Sequence, residues 1–182
     1  MLVTNVRKNG VPIGSLPDGE MFFHHDKCYA EEPDWGTMLY AMEVTRVGGH
    51  TLFANMYAVL ESLSPELRLF LKDLRAVNDA DKAAISQTRP GAHRKGLKAC
   101  HPVVRTHPET QRELLYINRA HTTHFENWTA EESTPLLDFL CQRIEQPEFG
   151  CRFKWEPGSL AFWDNRACQH FPINDYDGHL RR

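Results

Sequence analysis

The chain has 182 residues, of which 41% are hydrophobic, and this length allows a sizeable core within one domain. Its net charge of −3 and isoelectric point near 6.4 disfavour a nucleic acid or an anionic membrane as the main partner. The sequence has no apolar run of about 18 residues and no apolar signal-peptide core. The five cysteines are odd in number and form no C-x-x-C pair. We therefore predict a cytoplasmic protein with reduced thiols and no membrane contact.

The first chemically informative stretch, residues 22–26, reads FFHHD and follows a Gly-, Pro- and Asn-rich run over 5–20 that predicts consecutive turns. The aromatic pair favours a strand. Because alternate residues of a strand share a face, His24 and Asp26 would project together, while His25 would face away. One imidazole and one carboxylate are two of the three protein ligands of a 2-His-1-carboxylate Fe(II) site.

The His-x-Asp pattern alone is weak evidence for a metal site. Random placement of ten histidines and 24 acidic residues gives roughly one His-x-Asp or His-x-Glu match, and the sequence contains three. His107 and Glu109 fall in a predicted turn with solvated side chains. His124 and Glu126 precede a predicted helix and indicate a loop. The aromatic context favours the match at His24, for which an ordinary surface strand is the alternative.

Short strands and helices are predicted in the first half of the chain. Apolar runs predict a central strand over 37–44 and a short strand over 50–53. Helical spacing begins at Met56, and a second helix is predicted with Ser64 as its N-cap. Pro65 then occupies the first helical position, where its missing N–H costs nothing.

Residues 78–100 contain few apolar anchors. This composition predicts a mobile surface segment, with an exposed loop as the favoured interpretation and an active-site lid as the alternative. The sequence does not decide between the two.

The second half of the chain has clearer boundaries. Residues 102–105 and 113–118 flank a turn and predict a β-hairpin. A capping box at Thr129 predicts a helix to about Glu145. Alternating apolar and basic residues over 151–155 predict a strand with one solvated face.

A last buried strand is predicted over 160–163, shortly before His170, which is our candidate for the third iron ligand. Many short strands with two or three helices predict a mainly β jelly roll with helices on one side. Closure of such a roll would bring residues near 24 and 170 together.

Five sequence blocks carry chemically distinctive residues in a fixed order: Phe23–Asp26, Gly48–Phe53, His101–Pro108, Trp163–Arg166 with His170, and Asp175–Tyr176 with Arg181. Together they resemble the taurine catabolism dioxygenase (TauD/TfdA) family of Fe(II)- and 2-oxoglutarate-dependent oxygenases. The resemblance covers the chain from about residue 20 to its end, and it implies a double-stranded β-helix with flanking helices.

The resemblance also implies roles for single residues. His24, Asp26 and His170 fall on the family's iron ligands. Thr51 falls on the hydroxyl donor, and Arg181 on the guanidinium, that hold the distal carboxylate of 2-oxoglutarate. A guanidinium can bind a carboxylate through two charge-assisted hydrogen bonds, and a threonine hydroxyl adds a neutral donor.

Other residues in these blocks have structural interpretations. Trp163 falls on an aromatic near the iron pocket, with burial in a strand as the alternative. Asn165 and Arg166 are expected to brace the turn before His170. Three histidines outside these blocks, His93, His121 and His179, are predicted to be solvated.

The chain also departs from the family it resembles. We expect a single dioxygenase domain over 1–182 that lacks the family's N-terminal part and the last strand with its second arginine. Glu20 stands where the taurine enzymes have an asparagine that touches the substrate, and an acid there would repel a sulfonate. Taurine is therefore disfavoured as the substrate.

The first functional hypothesis is an Fe(II)- and 2-oxoglutarate-dependent dioxygenase that uses O₂ to hydroxylate a small, anionic organic substrate, releasing succinate and CO₂. Neutral histidines and an ionised Asp26 are required, so activity is expected to fall on acidification. The alternative is a non-catalytic jelly-roll module or an inactive fragment of such an enzyme. A zinc hydrolase is less favoured, because the spacing reveals no general base. The substrate and the oligomeric state, a homo-oligomer included, stay open.

Overall fold

A computed structural model describes residues 3–4, 7–13, 22–83 and 96–176. In chain order the strands are β1 (Arg7–Lys8), β2 (Val11–Pro12), β3 (Gly36–Tyr40), β4 (Thr51–Asn55), β5 (Arg75–Asp79), β6 (Lys98–Pro102), β7 (Val104–Thr106), β8 (Glu113–Leu115), β9 (Thr122–Phe125), β10 (Gly150–Phe153), β11 (Leu160–Asp164) and β12 (Cys168–Pro172). The helices are α1 (Met56–Glu61), α2 (Pro65–Lys72), α3 (Ala80–Ala83) and α4 (Ala130–Ile144), with a short 3-10 helix over Pro147–Phe149.

The strands pair in antiparallel fashion throughout the described residues. Strand β4 lies between β10 and β12, and a single bridge from His24 to His170 extends this sheet beyond β12. Strand β3 pairs with β11, β5 lies between β6 and β9, and β7 pairs with β8 as the predicted hairpin. The prediction of a mainly β fold built from short antiparallel strands is confirmed.

The helices cover the sheets through one apolar core. Helix α1 packs on β8, α4 packs on β9, and the two helices touch each other. Each large apolar side chain that is fully buried stabilises the fold by roughly 1.5–3 kcal/mol. The fully buried side chains here include Val59, Leu71, Leu114, Phe125 and Leu140. This core holds the sheets in place behind the residues of the candidate site.

Both predicted N-caps, Ser64 and Thr129, are confirmed. The Ser64 hydroxyl accepts the amide of Leu67 at the start of α2. At the start of α4, the Thr129 hydroxyl accepts the amide of Glu132, and the Glu132 carboxylate accepts the amide of Thr129. None of the described helices has the length and apolar character needed to cross a membrane. All five cysteines are free, as predicted.

The structure corrects the prediction of a surface segment over 78–100. Asn78 and Asp79 are buried at the end of β5, which is the central strand of its sheet, and residues 98–100 begin β6. The polar residues are tolerated there because they are paired: the Thr122 hydroxyl donates to Asn78 Oδ1. Residues 84–95 lie outside the described part of the chain, so the choice between loop and lid stays open.

Strands form where a central strand over 37–44 and a buried strand over 160–163 were predicted. The structure corrects the two predictions in that, within the described part of the chain, neither strand is central or buried on both faces. Strand β3 pairs with β11 alone among the described strands. Met38 and Phe162, which oppose each other, are 62% and 56% exposed. Only alternate residues, such as Thr37 and Trp163, face inward, because side chains alternate between the faces of a strand. These inward residues border the candidate site.

Candidate metal centre

The structure brings the three predicted iron ligands together in one cluster, named here the His24 cluster: His24, Asp26 and His170. The Nε2 atoms of His24 and His170 lie 3.7 and 4.0 Å from Asp26 Oδ1. The two imidazole centroids are 4.1 Å apart. One ligand atom from each of the three side chains lies within 4.8 Å of the other two, which is close enough for all three to contact a single ion.

A β-bridge joins the two distant parts of the chain that form this cluster. The amide of His24 donates to the carbonyl of His170, and the amide of His170 donates to the carbonyl of His24, both at 3.1 Å. The strand predicted through His24 is reduced to this bridge, because the chain enters a turn at Asp26. The pairing of β12 with β4 places Phe53 opposite His170.

Hydrogen bonding determines which nitrogen of His24 faces the cluster. Its Nδ1–H donates to the carbonyl of Phe22 at 2.8 Å, and a carbonyl oxygen can only accept. In the neutral ring, Nε2 therefore keeps its lone pair and points toward Asp26. Metal-bound histidines commonly use such a hydrogen bond on the second nitrogen to fix their orientation.

His170 is held by packing. Its ring lies against Phe53 and Trp163, with centroid separations of 6.4 and 4.9 Å. Burial holds the pKa of His170 well below its ordinary value, and the nearby His24 and His25 lower it further. The imidazole is therefore neutral at physiological pH, as a metal ligand must be. Its Nδ1 is buried and has no hydrogen-bond partner among the described residues.

The Asp26 carboxylate is held on the side away from the two imidazoles. The Thr37 hydroxyl on β3 donates to Oδ2 at 2.7 Å. The side chain of Asn165 accepts the Asp26 amide and donates to the Asp26 carbonyl, both at 2.8 Å. Oδ1 accepts no hydrogen bond from any described residue, so it remains available on the side of His24 and His170.

His25 faces away from the cluster, as predicted. It is fully buried, its Nδ1–H donates to the Asn165 carbonyl at 2.8 Å, and its ring stacks on Tyr116 with a centroid distance of 4.5 Å. Burial lowers the pKa of His25 to about 3, so this ring is neutral. Asn165 was expected to brace the turn before His170. Its backbone carbonyl accepts the ring N–H of His25, and its side chain hydrogen-bonds the backbone of Asp26.

Thr51, the predicted hydroxyl donor for 2-oxoglutarate, is buried on β4. Its Oγ1 accepts the indole N–H of Trp155 at 2.9 Å, which leaves the hydroxyl proton free for another acceptor. Thr51 and Phe53 share a face of the strand, and Phe53 opposes His170, so Thr51 lies on the same side of the sheet as the cluster. Arg181, its predicted partner, lies outside the described residues.

A second compact group, named here the His107 cluster, contains His107, Glu109, Asp164 and Arg166. The prediction that His107 and Glu109 form a solvated turn is wrong for His107, which is buried and donates from Nε2 to Asp164 at 2.8 Å. Its Nδ1 accepts the backbone amides of Glu109 and Thr110. The hydrogen bond from His107 to Asp164 and the ion pair between Glu109 and Arg166 connect the turn after β7 to the end of β11.

The first three members of the His107 cluster are close enough to share an ion. Arg166 occupies that place instead, with ion pairs of 2.6 Å to Asp164 and 3.0 Å to Glu109. Burial would raise the pKa of Asp164, but hydrogen bonds from Arg166 and His107 outweigh it and hold the pKa well below its usual range. These contacts fit the bracing role predicted for Arg166.

The remaining histidine predictions have mixed outcomes. His121 was predicted to be solvated, but it is buried with its ring 6.3 Å from that of His24. His124 on β9 hydrogen-bonds Thr123, and Glu126 pairs with Arg75, so the third match to the motif forms no cluster in the described residues. His93 and His179 lie outside the described part of the chain.

Sequence reasoning missed Thr37 and Trp155, whose contacts orient Asp26 and Thr51. The only local signal at Thr37 is a hydroxyl in an otherwise apolar run, and nothing in that run identifies its partner. The donor set itself fits a non-haem iron centre: two imidazole nitrogens and one carboxylate oxygen converge, and each is free of competing hydrogen bonds from described residues.

Comparison with known proteins shows the family of the chain. The family model described as "Taurine catabolism dioxygenase TauD, TfdA family" matches residues 1–182. An alpha-ketoglutarate-dependent dioxygenase of Penicillium expansum, cnsM, is 33% identical over 167 residues, covering 88% of this chain and 46% of that protein. An alpha-ketoglutarate-dependent sulfonate dioxygenase of Saccharomyces cerevisiae is 33% identical over 163 residues, covering 88% and 40%. The chain thus spans less than half the length of these relatives.

Solved structures show the same fold. A taurine dioxygenase from Burkholderia xenovorans superposes with a TM-score of 0.77 at 35% identity, covering 87% of this chain and 55% of that chain. The protein AAD-2, solved in complex with Mn(II) and N-oxalylglycine, superposes with a TM-score of 0.78 at 29% identity, covering 87% and 64%. The predicted double-stranded β-helix with flanking helices is confirmed.

Proposed function

The chain belongs to the taurine catabolism dioxygenase (TauD/TfdA) family, and from that premise we propose that it carries the catalytic site of an Fe(II)- and 2-oxoglutarate-dependent dioxygenase. One observation carries the proposal. Two imidazole nitrogens and one carboxylate oxygen, brought from opposite ends of the described chain, face a common point. This is the 2-His-1-carboxylate donor set of non-haem iron oxygenases.

The proposed ligands are His24 Nε2, Asp26 Oδ1 and His170 Nε2. These three residues would hold the ion and leave coordination positions for cosubstrate and O₂. With 2-oxoglutarate and O₂, iron held there would supply the oxidising chemistry that hydroxylates the substrate and releases succinate and CO₂. The protein supplies the ligands and their orientation.

Thr51 and Arg181 are proposed to hold the distal carboxylate of 2-oxoglutarate. The Thr51 hydroxyl is suited to this role because its oxygen accepts the indole N–H of Trp155, so the hydroxyl proton can be donated to the cosubstrate. A guanidinium at residue 181 would add a bidentate, charge-assisted contact. The cosubstrate would then lie along β4, on the face shared by Thr51 and Phe53.

Phe53 and Trp163 are proposed to keep water away from the metal. Their rings lie 5.1 Å apart and both pack on His170. Apolar walls of this kind strengthen the electrostatic interactions inside a site and limit side reactions.

The proposed substrate is a small organic anion. Relatives include the yeast sulfonate dioxygenase and a protein of Acinetobacter baylyi named alkylsulfatase, 28% identical over 169 residues. Glu20, however, carries a negative charge where the taurine enzymes have an asparagine, and this disfavours taurine itself. A cytoplasmic location is also part of the proposal, supported by the five free cysteines.

Anaerobic titration of the Fe(II)-loaded protein with 2-oxoglutarate tests the proposal. We expect a weak visible metal-to-ligand band in the wild type and its loss in His24→Ala. Succinate release coupled to O₂ consumption would then separate an active enzyme from a non-catalytic jelly roll. The proposal fails if no band develops and His24→Ala leaves the iron affinity unchanged.

A further inference from the structure

The two oxygens of the Asp26 carboxylate have different surroundings. Oδ2 accepts the Thr37 hydroxyl at 2.7 Å, while Oδ1 lies 3.7 and 4.0 Å from the two imidazole Nε2 atoms. A hydrogen bond to an ionised carboxylate is short and roughly twice as strong as a neutral one. The Thr37 contact therefore restrains rotation of the carboxylate and keeps Oδ2 from turning toward the imidazoles.

The main chain of Asp26 is held by a second residue. Asn165 is fully buried, accepts the Asp26 amide and donates to the carbonyls of Asp26 and Asp34, at 2.8, 2.8 and 3.0 Å. Its own amide donates to the carbonyl of Trp35 at 3.0 Å. The loop that carries Asp26 is thus tied to the end of β11 at several points.

The two holding residues belong to one strand pair. Thr37 on β3 opposes Trp163 on β11, and Asn165 follows β11 directly. The register of β3 against β11 therefore sets where the hydroxyl of Thr37 and the amide of Asn165 stand relative to Asp26. A shift of one residue in that register would turn Thr37 to the outer face of the sheet.

We propose that the β3–β11 pair positions the metal-binding carboxylate, with Thr37 as the positioning residue that assigns Oδ1 of Asp26 to the metal as a single-oxygen ligand. This inference rests on the proposed function, since it presumes that Asp26 binds a metal. Without the Thr37 hydroxyl, the carboxylate can rotate about its Cβ–Cγ bond, and Oδ1 is no longer held toward the two imidazoles. Partners of this kind behind metal ligands typically contribute 10–100-fold in metal affinity.

The test compares Mn(II) affinities of the whole chain, measured anaerobically by electron paramagnetic resonance. Thr37→Val keeps the branched shape and removes the donor, while Thr37→Ser keeps the donor. The matched control is Thr123→Val on β9, a partly buried threonine whose hydroxyl donates to the Val77 carbonyl. We expect Thr37→Val to bind Mn(II) at least about tenfold more weakly. Thr37→Ser should lie near the wild type, and Thr123→Val should not change.

A second measurement separates positioning from stability. The denaturation midpoints of the metal-free proteins should fall in both Thr37→Val and Thr123→Val, because each variant loses the hydrogen bonding of its hydroxyl. The visible spectrum of the Co(II)-loaded protein should change only in Thr37→Val, because the carboxylate no longer approaches the ion in one orientation.

The outcomes are distinct. Wild-type protein that binds no Mn(II) at the His24 cluster overturns the proposed function and this inference together. Wild-type protein that binds Mn(II), with Thr37→Val equally tight and its Co(II) spectrum unchanged, overturns the inference alone. Weak binding in Thr37→Ser as well as Thr37→Val also overturns it, since the methyl group rather than the hydroxyl would then matter.

Discussion

The His24 cluster and the His107 cluster both combine imidazole and carboxylate groups, but they serve different ends. Each begins with a His-x-Asp or His-x-Glu match, and each brings an imidazole and carboxylate oxygens within reach of one ion. In the His107 cluster, Arg166 supplies the positive charge and pairs with both carboxylates. In the His24 cluster no described cation pairs with Asp26, and both imidazole Nε2 atoms face its Oδ1.

The difference teaches that spacing alone does not identify a metal site. A carboxylate that is already paired with a guanidinium gains little from a metal, because the cation must displace a strong bidentate contact. A carboxylate that faces two imidazoles and pairs with no described cation is a site for an added cation. Charge balance, read from the folded structure, distinguishes the two clusters.

The largest effect, a loss of Mn(II) affinity, is expected when one ligand of the His24 cluster is removed. Asp26→Ala removes one of three protein ligands and the only negative charge among them, so Mn(II) affinity should fall by more than the roughly 100-fold that a supporting residue contributes. Glu109→Ala in the His107 cluster is the matched control and should leave Mn(II) affinity unchanged. Isothermal titration of both variants checks this. Equal losses in the two would contradict the distinction between the clusters.

The next effect concerns stability and is expected only in the His107 cluster. His107→Ala removes a buried ring that donates to Asp164 and accepts two backbone amides. Leaving such buried groups unpaired costs about 1–3 kcal/mol each, so the free energy of unfolding should fall by at least that range. Denaturant unfolding measures it. A loss of Mn(II) binding comparable to that of Asp26→Ala, with stability intact, would reverse the assignment.

The contrast also shows what the sequence could and could not predict. Alternation placed His24 and Asp26 on one side, and His170 was nominated from its place after the last predicted strand, a choice that the resemblance to a family also implies. Thr37 could not be found in this way, because its partner lies in another segment and local periodicity carries no information on that contact. His107 was predicted to be exposed because its neighbours are polar and Pro108 favours a turn, yet the ring fills a buried position that Asp164 satisfies.

A smaller effect should appear as a pH dependence of stability. The folded-state pKa of Asp164 is depressed, so its contribution to stability is present above the unfolded value, near 4, and is lost as the pH falls toward the folded value. Asp164→Asn removes this acid-sensitive part. The free energy of unfolding of the metal-free variant should therefore decline less between pH 5 and pH 3 than that of the wild type. Parallel curves for the two proteins would show that Arg166 and His107 do not stabilise the charged form.

The smallest effect is expected at the third match to the motif, His124 and Glu126. Glu126 forms an ion pair of 3.3 Å with Arg75, but both side chains are nearly half exposed, at 45% and 47%. Solvent screening limits such a pair to about 0–1 kcal/mol. Glu126→Ala should therefore change the free energy of unfolding by no more than about 1 kcal/mol and leave Mn(II) affinity as in the wild type. A larger change in the free energy of unfolding or in Mn(II) affinity would mean that charge pairing and exposure do not distinguish the three matches to the motif.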